Sequence, residues 1–167
     1  MSEITSSVLV LPTDVGELAV LETQIGALLA MAPAIEDAEI VQYNIWLAVH
    51  ELCVNIINHA FAGAPGEFVV TFRLLDDPLH VEITSDDQGR NAFDFSEWSP
   101  PDLNDPPIHG LGIFLMRQLM DSVAYEHSAT GSHWRLVKHL TVAHPGAAAQ
   151  PAPAGTTTPN DGERGDS

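Results

Sequence analysis

The chain has little positive charge. Only six of its 167 residues are Lys or Arg, against 23 Asp or Glu, which gives a net charge of −17 with histidine neutral. A surface of that sign repels nucleic acid and anionic lipid, so direct contact with either is not expected. It also repels a triphosphate, so a nucleotide bound here would need a divalent cation to offset its charge. Cysteine is nearly absent: Cys53 stands alone and can close no internal disulfide, which fits a reducing compartment. The start, Met1-Ser2-Glu3-Ile4, lacks the basic region that opens a secretory signal. No apolar run approaches the roughly 20 residues needed to cross a bilayer. These absences lead to the expectation of a cytoplasmic protein with no membrane contact.

What is present suits one globular domain. The hydrophobic fraction of 45% beside 17% charged residues is ordinary for a packed core. The folded domain is expected over residues 1–142. From Ala143 to residue 167 the chain turns to Ala, Pro, Gly and Thr with acidic residues, a composition that cannot bury a core and predicts a disordered tail. Residues 7–11 read as a short strand ended by Pro12, with Thr13 or Asp14 as cap of a helix to about Met31. A second helix is expected from about Glu36 to Phe61. Alternation at Phe68, Val70, Phe72 and Leu74, then at Leu79, Val81 and Ile83, predicts two strands. A helix from Leu111 to about Met120 and strands at 122–127 and 133–140 complete the pattern. Residues 95–109, rich in Pro, Asp and Asn, read as a mobile loop.

Three short segments carry chemistry. Glu51 and Asn55 lie four residues apart in an otherwise apolar helical stretch, with Asn58 or His59 continuing the same face. A buried carboxylate without a partner costs several kcal/mol, so Glu51 should face a ligand, a wet cleft or a cation, or else pair with Asn55 inside the core. Asp87-Gln88-Gly89 follows a strand. The carboxylate there can accept the exocyclic amine of adenine, and Gly89 lets the backbone pass close to a planar base; the same triplet also suits a plain surface turn. Gly110-Leu111-Gly112 opens a helix directly after the irregular loop. Exposed N–H groups at such a start attract phosphate, although tight packing alone would also favour glycine. The pattern is neither a Walker loop nor a dinucleotide fingerprint.

In order and spacing the three segments resemble the Bergerat-type ATPase fold shared by gyrase, histidine kinases and mismatch-repair ATPases. Within that group the chain is similar to the small anti-sigma-factor serine kinases of bacterial partner-switching systems. The stretches from Ala48 to Ala60 and from Gly110 to Asp121 carry the likeness, together with the turn and strand from Gly131 to Leu140. The resemblance implies an α+β fold: a two-layer sandwich with helices on one face of a mixed, mainly antiparallel sheet. It implies ATP and Mg²⁺ as ligands, Glu51 as general base, Asn55 as magnesium ligand, Asp87 and Gly89 at adenine, and Gly110, Leu111 and Gly112 around the phosphates. It further implies a homodimer whose partners are an anti-anti-sigma (STAS) protein, phosphorylated on serine, and a sigma factor.

Two departures accompany the likeness. Arg90-Asn91-Ala92 precedes Phe93, one residue longer than the family turn, and the stretch Phe95–His109 contains no Lys or Arg. Phosphoryl transfer relies on positive groups around the γ-phosphate. A module that binds nucleotide and sequesters a regulator without transfer therefore stays open, as does an interaction domain independent of ATP.

Overall fold

The computed structural model describes residues 1–92, 100, 102, 104 and 111–145. Five strands form one sheet: β1 (Glu3–Pro12), β2 (Glu67–Leu75), β3 (His80–Asp87), β4 (Ser122–Ser128) and β5 (Gly131–His139). Their spatial order is β1-β2-β3-β5-β4, and each of the four pairings is antiparallel. Helices α1 (Val20–Leu29), α2 (Ala38–Asn55) and α3 (Leu111–Leu119) complete the described elements. The result is the α+β sandwich expected, with the antiparallel character extended to every strand.

The inward row of the sheet explains the layering. Phe68, Val70, Phe72 and Leu74 on β2, Val81 and Ile83 on β3, and Trp134 and Leu136 on β5 are all buried. They meet Leu21, Ile25 and Leu28 of α1 at i, i+4, i+7 spacing, and Ile45, Ala48, Val49, Leu52 and Cys53 of α2. Each such side chain contributes about 1.5–3 kcal/mol of burial, which is what fixes the helices to this face. The opposite face is held by ion pairs: Glu82 accepts from Arg135 at 2.6–2.7 Å and from Arg73 at 3.5 Å.

Several boundaries differ from expectation for physical reasons. The first strand starts at Glu3, because Glu3↔Leu75 through Pro12↔Glu67 pair along the whole of β2; residues 3–6 are too polar to show alternation. Asp14 is the cap, accepting from the Gly16 N–H at 2.9 Å, but the segment begins as a 3₁₀ turn, Val15–Ala19. The second helix is α-helical only to Asn55 and continues as a π-helical turn, Ile56–Ala60, where the Phe61 N–H donates to the Ile56 carbonyl at 3.2 Å. That wider turn keeps Ile56, Ile57 and Ala60 buried. The span Ala38–Ala60 is long and apolar enough to cross a membrane by length and composition, which the search for uninterrupted apolar runs overlooked. Here its buried residues are core: it packs against α1 and α3 and shares one apolar cluster with the inward side chains of the sheet. The expected loop at 95–109 and the tail beyond residue 145 lie almost wholly outside the described residues.

Gly131 opens β5 at φ +138°, and a Cβ there would overlap the Asp87 carbonyl oxygen. Gly131→Ala is expected to cost about 2 kcal/mol or more, read as a lower urea midpoint. An unchanged midpoint would contradict this close crossing of β3 and β5.

Candidate functional site

The polar line of α2 meets the start of α3. Gly112 is the second residue of α3, and a Cβ placed there would lie 2.8 Å from Glu51 Oε2 and 3.5 Å from both terminal atoms of Asn55. A side chain at this point would have to displace the Glu51 carboxylate from where it now lies. Leu111, half-buried, opens the helix, while Gly110 lies outside the described residues. The first turn of a helix presents unpaired N–H groups and a partial positive charge, which suit the Glu51 carboxylate and would suit a phosphate. Glu51 keeps 25% of its side chain exposed, and His50 Nδ1 stands 3.9 Å from its Oε1.

The Asp87 turn closes the other end. Asp87 is the last residue of β3 and is 4% exposed. Its Oδ1 accepts from the Gly89 N–H at 2.9 Å. A Cβ on Gly89 would fall 2.5 Å from the Cβ and carbonyl oxygen of Ala60, so the room at Gly89 is taken up by the π-helical turn. The Asn91 N–H donates to the same carbonyl at 3.3 Å. Gly89 therefore clamps the end of α2 to the Asp87 turn, a packing role that the sequence pattern did not suggest. Burial pushes the Asp87 carboxyl above its usual range, outweighing the Gly89 N–H and the nearby His127.

Among the described residues three buried side-chain atoms have no hydrogen-bond partner: Asn55 Nδ2, Ser85 Oγ and Asp87 Oδ2. Each orphan costs about 1–3 kcal/mol, so three in one domain call for a cause. Asn55, His59, Ala60, Asn91, Tyr125, Ser132 and Trp134 surround a hollow of about 10 Å³. That is less than an adenine ring needs, so a nucleotide could enter only as these walls part. Of the two alternatives left by the helical spacing, His59 is the one that lines the hollow. Sequence reasoning missed Ser132, the cross-strand partner of Asp87, whose hydroxyl lies 2.9 Å from His127 Nδ1 and 3.2 Å from the Tyr125 hydroxyl. The inward alternation of β4 and β5 was the signal that could have found it. A wider hollow of about 750 Å³ touches the outer side of the Asp87 turn and Thr130–His133, and includes neither Glu51 nor Asn55.

Among the described residues no group of three or more His, Cys, Asp or Glu side chains is placed to hold a metal alone. Magnesium fits this donor set as an ion shared with phosphate, because it is commonly held by one or two protein oxygens plus phosphate and water. Asn55 and Glu51 are the oxygens at hand, and a half-turn of the orphaned carboxamide exchanges its nitrogen and oxygen.

Comparison with known proteins bears on the family and the fold. The sequence profile described as Histidine kinase-like ATPase domain matches residues 13–138. A serine-protein kinase RsbW of Bacillus cereus (strain B4264) is 35% identical over 113 residues, which is 63% of this chain and 66% of that protein. Another from Bacillus mycoides (strain KBAB4) is 33% identical over the same length and shares. The chain thus spans slightly less than two thirds of the curated relatives it matches. A crystal structure of the RsbU and RsbW domains of a Mycobacterium tuberculosis protein superposes with a TM-score of 0.56 at 16% identity, covering 84% of this chain and 35% of that one; it supports the fold alone.

The raised Asp87 pKa has a stability consequence. The native state binds this proton more tightly than the unfolded chain does, so Asp87 adds stability below its unfolded pKa of about 3.9, and the gain disappears as pH rises through the higher folded value. At about pH 7 the buried carboxylate is a net cost. Asp87→Asn keeps an acceptor for the Gly89 N–H and is expected to raise Tm at neutral pH, with the difference shrinking toward about pH 4. A lower Tm at neutral pH would contradict the assignment.

Proposed function

The chain belongs to the histidine kinase-like ATPase domain family, and on that footing we propose that it is an ATP-dependent serine-protein kinase acting as an anti-sigma regulator in a bacterial partner-switching circuit. The observation that carries this reading is the convergence of Glu51 and Asn55 on Gly112 at the head of α3. Asp87 accepts the adenine amine with its unpaired Oδ2, in the turn that Gly89 clamps. Gly110, Leu111 and Gly112 wrap the phosphates. Asn55 would hold Mg²⁺, which would supply positive charge to offset that of the phosphates. Glu51 orients the serine hydroxyl of the protein substrate and takes its proton as the γ-phosphoryl group passes from ATP to the serine oxygen, releasing ADP. The similarity to serine-protein kinases named RsbW supports this assignment.

The partners in this reading are an anti-anti-sigma (STAS) protein as substrate and a sigma factor as the captured regulator, in the cytoplasm. The −17 charge suits a sigma factor's basic surfaces. A homodimer forms part of the proposal: Val8 and Val10 on the edge strand β1 are 60% and 59% exposed, which supports an interface there. Capture without phosphoryl transfer is the second reading, favoured by the absence of Lys and Arg from residues 95–109.

The test is incubation with labelled ATP, Mg²⁺ and a STAS protein encoded beside this chain. Wild type is expected to label the partner on serine. Glu51→Gln is expected to retain ADP binding while kcat falls about 10²–10⁴-fold. Equal transfer by the variant would reject Glu51 as the base. A stoichiometric complex formed without any transfer would select the second reading.

A further inference from the structure

A groove of about 380 Å³ lies between α1 and α2, lined by Glu22, Glu39, Gln42, Tyr43 and Trp46. None of these residues belongs to the proposed nucleotide site. The two helices come close beside it, since a Cβ on Gly26 of α1 would lie 3.2 Å from Gln42 Nε2 of α2. Positions 39, 42, 43 and 46 share one face of α2 by i, i+3, i+4, i+7 spacing. The Tyr43 and Trp46 rings are 5.7 Å apart, and His50 continues the row 5.5 Å from Trp46. Tyr43 is 58% exposed, and Ile40 beside it is 61% exposed.

The charge of this groove is uncompensated. Among the described residues neither Glu22 nor Glu39 has a side-chain hydrogen bond or an ion pair. Each stands in the first turn of its helix, where the dipole favours a carboxylate without a paired cation. No Lys or Arg precedes Arg73 in the chain, so neither helix supplies a cation of its own. Two aromatic rings between two unpaired carboxylates are complementary to one kind of group: a flat cation that stacks on a ring and donates to an acid at its edge. A guanidinium does both, whereas an ammonium is a compact, strongly hydrated point charge.

We infer that the α1–α2 groove is a docking pocket for an arginine side chain presented by a protein partner. The inference rests on the reading above that the chain captures a protein regulator, and it makes no use of the nucleotide site. The guanidinium lies against Trp46 and Tyr43 and donates to Glu22 and Glu39. The exposed Ile40 and Tyr43 extend the apolar surface past the groove, where residues flanking the arginine rest, which commits the occupant to a peptide segment.

The experiment titrates the full chain with blocked peptides that carry arginine, lysine or citrulline between two leucines, following the Trp46 indole N–H by NMR. The arginine peptide is expected to shift that signal and bind in the millimolar range. The neutral citrulline peptide is expected to leave it unmoved, and the lysine peptide to bind several-fold more weakly. Glu22→Gln with Glu39→Gln is expected to weaken the arginine peptide at least about fivefold, and Tyr43→Ala about threefold or more, with the wild-type Tm kept in the glutamine pair. Equal binding of the citrulline peptide, or unchanged affinity in the glutamine pair, overturns the inference. Equal binding of the lysine peptide overturns the choice of arginine. Methylguanidine bound as tightly as the peptide overturns the protein source. A chain that takes the arginine peptide but no Mg²⁺–ADP loses the nucleotide reading and keeps this inference. A chain that binds Mg²⁺–ADP but not the peptide loses this inference alone.

Discussion

The geometry of the candidate site turns on the close approach of the Glu51 carboxylate to the backbone of Gly112. A side chain at 112 would occupy the position that Glu51 Oε2 now holds, 2.8 Å from where a Cβ would be built. A larger residue there would push the carboxylate away from the head of α3. The carboxylate gains from the partial positive charge of the helix start, which offsets part of the cost of holding it half-buried. The same field favours an anion placed at the helix head.

A second constraint works just beyond the C-terminal end of α2. The π-helical turn brings Ala60 against Gly89, and the Asn91 N–H closes on the Ala60 carbonyl. The Asp87 turn and the head of α3 are thereby both packed against the C-terminal part of one helical stretch. The surrounding core is large enough to tolerate the defects this requires: Phe68, Phe72, Leu52, Ile56, Ile83, Ile113 and Met116 are fully buried around it. Three orphaned polar atoms and a carboxyl held above its usual pKa lie at the site side of this core. Stability lost at the site is offset by packing elsewhere, a common trade in binding domains.

The sequence made the layers legible because periodicity reports burial. Alternation placed β2 and β3 within about two residues, and the apolar spacing placed α1 and α2. It missed what depends on pairing or on backbone register. The polar start of β1 becomes a strand only by lying along β2, and the π turn after Asn55 leaves no mark in apolar spacing. The pairing of Glu51 and Asn55 with Gly112 was anticipated from motif order, yet the packing of Gly89 on Ala60 was not. An Asp-x-Gly triplet looks the same whether its glycine admits a base or a helix end. Ser132 escaped notice because lone serines on strands are common, and its place at the hollow comes from burial and cross-strand neighbours.

The most direct test of the account is a crystal structure of the protein with Mg²⁺ and ADP. The account predicts the adenine amine within hydrogen-bonding distance of Asp87 Oδ2, and the ion beside the side-chain oxygen of Asn55 at the head of α3. Nucleotide bound instead in the wide hollow on the outer side of the Asp87 turn, away from Glu51 and Asn55, would contradict it.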